Sequence, residues 1–140
     1  MKKKLLIGTV LFLLPTKLAR TLLHFCKSAR IGFSLIIADE IMMSPGARIG
    51  HLNLVKCRRL TMGKNARIKM LNVMKGIYDV EMEELGVINR SNTIVNSLNI
   101  PSLKKAFSIP TLAIGYNSII GVKHFLDMTS SVTLGENSIL

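Results

Sequence analysis

The chain has no tryptophan, and only five phenylalanines and two tyrosines among 140 residues. Base-stacking platforms for single-stranded nucleic acid are therefore missing, and any interior must be built from aliphatic side chains. Two cysteines, Cys26 and Cys57, cannot support a disulfide framework and lack metal-like spacing; they point to free thiols in a reducing compartment. The three histidines, His24, His51 and His124, stand far apart and make no cluster, so no metal is expected. No apolar run is long enough to span a bilayer: residues 5–14 form a stretch of only ten. Acidic residues are absent from the first 38 positions.

What is present begins with positive charge. The net charge is +11. Residues 1–38 carry Lys2, Lys3, Lys4, Lys17, Arg20, Lys27 and Arg30, and residues 48–75 add eight more cations. Nucleic acid is one partner for such a surface. The chain lacks a nucleic-acid-binding motif, so an anionic membrane or a polyanionic small molecule fits better.

The second feature is a repeat. Aliphatics stand six apart in Met43, Ile49, Val55; Met62, Ile68, Met74; Met82, Ile88, Ile94; and Ile114, Ile120, Leu126. A small residue follows the first of each set by four: Ala47, Ala66, Gly86, Ser118. A fifth copy begins at Val132 and runs to Leu140, and a partial one leads in from Ala29. The central aliphatics fall at 31, 49, 68, 88, 120 and 140. This is the hexapeptide signature of a parallel β-helix. Three six-residue steps turn the chain through three flat faces, every sixth side chain points inward, and corners admit only small inward residues. An amphipathic helix would need apolar residues at i, i+3, i+4 and i+7, a spacing that residues 41–75 do not follow. The expected fold is all-β, a β-helix of about five coils over residues 29–140. The residues beyond 18 per coil are read as bulges at the Val55–Leu60 and Met74–Val80 corners.

Residues 96–111 interrupt the register with two prolines and a Lys104-Lys105 pair. They are expected to leave the coil as an extruded loop, either functional or a tolerated insertion. Residues 1–28 form a basic hydrophobic and amphipathic segment, expected to be helical. Lys2-Lys3-Lys4 and the apolar run resemble the start of a secretory signal, but no small-x-small cleavage site follows. Residues 17–27 place Leu18, Leu22, Phe25 and Cys26 on one helical face and Lys17, Arg20, His24 and Lys27 on another. A peripheral anchor on the cytoplasmic face of a membrane is the expectation. The alternative is a cap packed on the open end of the β-helix.

Residues 43–55, 62–74, 82–94, 114–126 and 134–140 together resemble the left-handed β-helix acyltransferases of the hexapeptide-repeat family. Leu13-Leu14-Pro15, Ile31-Gly32-Phe33-Ser34 and the stretch from Gly46 to Asn53 are more narrowly similar to bacterial enzymes that acetylate surface polysaccharides. The resemblance implies a left-handed coil, a homotrimer, acetyl-CoA as donor in a groove between neighbouring helices, and a saccharide acceptor. It also implies a histidine base and cations near the groove for the coenzyme phosphates. The family continues with further coils that commonly carry the histidine. This sequence stops in mid-copy at Ser138-Ile139-Leu140 and so resembles the front part of such an enzyme. The resemblance therefore implies that the true base lies in coils beyond Leu140.

Within these residues His124 is the candidate base. It stands where other copies have Asn53, Asn72 and Asn92, and Asp127 lies three residues on to orient it. The alternative is a corner residue bonding neighbouring coils as the asparagines do. His51 is read as structural, and the asparagines as a corner ladder. Two classes of function stay open: an acyltransferase, and a non-catalytic membrane-attached β-helix scaffold or remnant of such an enzyme.

Overall fold

The computed structural model describes residues 29–96 and 110–140. The expected N-terminal helix and most of the expected loop fall outside them. The described chain winds through five coils of three short strands each. The first coil holds β1 (Arg30–Ile31), β2 (Leu35–Ile37) and β3 (Glu40–Met43). The second holds β4 (Arg48–Ile49), β5 (Leu54–Lys56) and β6 (Arg59–Met62). The third holds β7 (Arg67–Ile68), β8 (Val73–Lys75) and β9 (Asp79–Met82). The fourth holds β10 (Val87–Ile88), β11 (Thr93–Val95) and β12 (Thr111–Ile114). The fifth holds β13 (Ile119–Ile120), β14 (Phe125–Asp127) and β15 (Val132–Leu134), and Ile119 bridges on to Ile139.

Like strands of successive coils pair in parallel, giving a first sheet β1-β4-β7-β10-β13, a second β2-β5-β8-β11-β14 and a third β3-β6-β9-β12-β15. The molecule is a three-sided parallel β-solenoid. The six-residue register holds residue by residue: Ile31, Ile49, Ile68, Ile88 and Ile120 stack inward on the first sheet, and Ile36, Val55, Met74 and Ile94 on the second. No single coil encloses these side chains; each aliphatic is covered by its copies above and below.

The residues in excess of 18 in the second and third coils lie at the expected corners, between Val55 and Leu60 and between Met74 and Val80, where the second sheet passes to the third. Strands of the third sheet are four residues long and place two side chains inward, as Leu60 with Met62 and Val80 with Met82. The third coil has a further corner residue, with Gly76 at φ +73°, and the fifth coil matches its length between Asp127 and Val132. The insertion also proves narrower than 96–111. Asn96 still donates to the Lys75 carbonyl at 3.0 Å, Pro110 already accepts from Tyr78 N–H at 2.9 Å, and Thr111 opens β12.

Candidate functional site

The corner between the first and second sheets is held by side chains as well as by backbone. Asn53, Asn72 and Asn92 are buried there, stacked above one another. Asn72 N–H donates to Asn53 Oδ1 at 2.9 Å, Asn92 N–H to Asn72 Oδ1 at 2.9 Å, and His124 N–H to Asn92 Oδ1 at 2.9 Å. The amide ends donate sideways, Asn53 Nδ2 to the Lys69 carbonyl at 2.7 Å and Asn92 Nδ2 to the Gly121 carbonyl at 2.9 Å. Ser34 plays the same part in the first coil, donating to the Gly50 carbonyl at 2.7 Å and accepting from Asn53 N–H at 3.0 Å. Each of the first four coils thus closes this corner with a buried polar side chain that bonds the next coil, so the column fixes coil-to-coil register.

Each of these residues from Asn53 on is preceded by one with positive φ: Leu52, Leu71, Ser91 and Lys123. The first coil lacks that extra residue, and Phe33 runs straight into Ser34. Its spare N–H is taken by a side chain instead: Phe33 N–H donates to His51 Nδ1 at 3.0 Å. His51 is therefore a hydrogen-bond acceptor closing the first coil, with its remaining proton on Nε2.

His124 occupies the asparagine column at the fifth coil. It is half-buried, and its Nε2 edge lies against Gly121, where a Cβ would meet it at 2.9 Å. Leu140 reaches the same glycine from the other side. Its carbonyl accepts from Gly121 N–H at 2.7 Å, and its own N–H donates to the Ile119 carbonyl at 2.9 Å. Leu140 thus extends the backbone ladder of the first sheet and carries no group that could move a proton; a base in coils beyond it would lie outside the described residues. Unlike the central aliphatics Ile31, Ile49, Ile68, Ile88 and Ile120, which are buried, Leu140 is 43% exposed, having no described coil above it.

Asp127 sits elsewhere in the register. It ends β14 on the exposed outer face of the second sheet, aligned with Val95, Lys75 and Lys56. Beside that column runs another, the half-buried aliphatics Leu35, Leu54 and Val73, then Thr93 and Phe125, which is 69% exposed. An open groove of about 540 Å³ borders the same corner on the first-sheet side, lined by Gly50, His51, Lys69, Met70, Asn89, Arg90 and Val122.

Cys57 is a free, buried thiol at the corner between the second and third sheets. Burial, with the Asp79 and Asp39 carboxylates adding to it, pushes its pKa up to about 12. It is an inert packing residue rather than a nucleophile. His24 and Cys26 lie outside the described residues. Among the described residues no group of three or more His, Cys, Asp or Glu could hold a metal ion. No helix among them is long and apolar enough to cross a membrane.

No family model, no curated protein and no solved structure matches this chain. What can be said about function therefore rests on the residues themselves.

Missing from the sequence reading was the role of the triplet Ala29-Arg30-Ile31, Ala47-Arg48-Ile49, Ala66-Arg67-Ile68. Its middle residue recurs at one register position in three successive coils. The signal was in plain sight as an identical triplet at the repeat period.

Proposed function

We propose that this protein is an acyltransferase built on a left-handed parallel β-helix, passing an acetyl group from acetyl-CoA to a hydroxyl of a surface polysaccharide or its precursor. In this reading it works as a homotrimer, peripheral at the inner face of the cell membrane. The single observation that carries it is the outer face of the second sheet. There the in-register Lys56 and Lys75 lie beside the aliphatic stripe Leu35, Leu54 and Val73, which continues through Thr93 to Phe125, with His124 at its corner and Asp127 at its edge. Cations suit the coenzyme phosphates, and the apolar stripe suits the pantetheine arm and the flank of a neighbouring copy. Left-handedness is supported by the six-residue sides and by the resemblance of the repeats.

The chemistry asks little of the scaffold. A neutral imidazole at His124 takes the proton of the acceptor hydroxyl as its oxygen bonds to the acetyl carbon. Collapse of the tetrahedral intermediate breaks the carbon–sulfur bond, and the imidazolium returns its proton to the departing thiolate. His124→Asn restores the asparagine column, so it keeps the fold. It is expected to lower acetyl transfer to a sugar acceptor by at least about a hundredfold, measured on the longest form that the reading frame encodes. Undiminished transfer by that variant rejects His124 as the base.

One observation favours the second reading, a non-catalytic membrane-attached scaffold. The His124 backbone continues the asparagine ladder, and its ring edge rests on Gly121. Absence of transfer in every form of the chain, with the fold intact, decides for that reading.

A further inference from the structure

The outer face of the first sheet is divided along its length. Its outward column reads Arg30, Arg48, Arg67, then Val87, Ile119 and Ile139. The three arginines are exposed and lie one strand spacing apart, about 4.8 Å. Like charges opposite one another on adjacent strands are unfavourable. Lys69 and Arg90 extend the positive field into the groove at one edge. No residue in 41–78 is acidic. At the other edge Glu84 lies 3.8 Å from Lys64.

Both edges of this face carry leucines in a conformation that leucine avoids. Leu52 (φ 57°) and Leu71 (φ 61°) stand at the groove edge, and Leu85 (φ 62°) at the opposite edge. The equivalent corner positions of other coils are filled by Gly46, Asn65, Asn117, Asn137, Ser91 and Lys123, and Asn or Gly there is the less strained choice. Leu52 and Leu71 are nonetheless 57% and 47% exposed. A strained backbone that holds a large apolar side chain in water calls for a functional explanation.

We infer that this face docks on an anionic lipid bilayer, its arginines among the lipid phosphates and its framing leucines and the Val87–Ile119–Ile139 end in the interfacial region. A soluble polyanion would use the arginines but not the leucines. A second copy of the same face would set arginine against arginine. An anionic bilayer takes both halves. The basic residues 1–28 precede Ala29 in the sequence, directly ahead of Arg30, where this face begins. The inference rests on the membrane attachment proposed above and not on acyl transfer.

The test is sedimentation of the full chain with vesicles of equimolar phosphatidylcholine and phosphatidylglycerol, against phosphatidylcholine alone. The double variant Arg48→Gln/Arg67→Gln is expected to bind the anionic vesicles roughly 30-fold more weakly, about fivefold for each arginine. Leu52→Asn/Leu71→Asn should weaken binding by about tenfold or more while leaving thermal unfolding unchanged or raised, because Asn suits positive φ. Leu52→Gly/Leu71→Gly serves if the asparagine pair fails to fold. Arg59→Gln, on the third sheet, should bind within about twofold of wild type. No vesicle binding by the wild-type chain rejects both the membrane reading and this face. Wild-type binding that both double variants retain rejects the face alone and leaves residues 1–28 as the anchor. A leucine variant that binds normally, with an arginine variant that also loses inorganic polyphosphate, makes the partner a soluble polyanion and overturns the proposal. Normal vesicle binding with lost acetyl-CoA binding in the arginine variant assigns those cations to the coenzyme instead.

Discussion

The first and third sheets are built on the same register and spacing, yet their outer faces are written in opposite ways. On the third, the outward column begins Glu40, Arg59, Asp79, and Arg59 Nε lies 3.4 Å from Glu40. Signs alternate from coil to coil. On the first, Arg30, Arg48 and Arg67 repeat one sign through the same three coils. A parallel solenoid brings each side chain under its own copy, so it magnifies whatever the repeat carries. Alternation turns that stacking into attraction; repetition turns it into a concentrated field. The third sheet is arranged for its own stability, and the first spends some stability on presenting charge.

The sharpest way to break this comparison is to move one residue along a strand of the first sheet. Ile68→Asp places an unpaired carboxylate among Ile49, Ile88 and the other inward residues, and should cost about 4 kcal/mol or more. Arg67→Asp, one position away and facing outward, should change stability by less than about 0.5 kcal/mol. Urea unfolding of both variants measures the difference, and equal losses would contradict the register itself.

A second test moves to the corner beside the third sheet, where Cys57 lies near Asp39 and Asp79. The unfolded thiol ionises near pH 9.0, whereas the folded one holds its proton to about 12. The folded state therefore keeps a proton that the unfolded state releases, and this contribution is complete below about pH 9 and fades as pH rises toward 12. Cys57→Ala should lose less thermal stability than wild type over that interval. Parallel melting curves from neutral to strongly alkaline pH would show it, and identical slopes would count against a buried neutral thiol.

The smallest effects compare the faces directly. Glu40→Gln should cost up to about 0.5 kcal/mol, because its pair with Arg59 is partly exposed. Arg48→Gln should instead stabilise by a few tenths of a kcal/mol, roughly what removing a like-charge neighbour gains. Chemical denaturation at low salt separates the two signs, and added salt should shrink both.

Much of this was legible in the sequence, for a physical reason. A residue on an inward column has no choice but to be small or aliphatic, so Ile49, Ile68 and Ile88 declare their places, as Asn53, Asn72 and Asn92 declare the corner. The reading failed where the determinant was backbone conformation or a difference between coils. Nothing in the letters marks Leu52 and Leu71 as positive-φ residues. Nothing announces that the first coil is one residue short, which is why His51 binds the Phe33 N–H. His124 and Asp127 looked like partners by spacing, but they stand at the two ends of β14 and differ in register: one belongs to the asparagine column and the other to an outer face.

The insertion has a consequence for how such a molecule can change. Register is intact at Asn96 and again at Pro110, so the chain leaves and rejoins without displacing any stacked column. That corner acts as a port. Doubling the length of a segment attached there costs only about 0.6 kcal/mol in closure entropy, whereas one residue added within a strand turns the inward side chains between it and the next corner to the outside. Variation is thus channelled to the corners of the prism, where segments can be exchanged while the strands stay bound to their period.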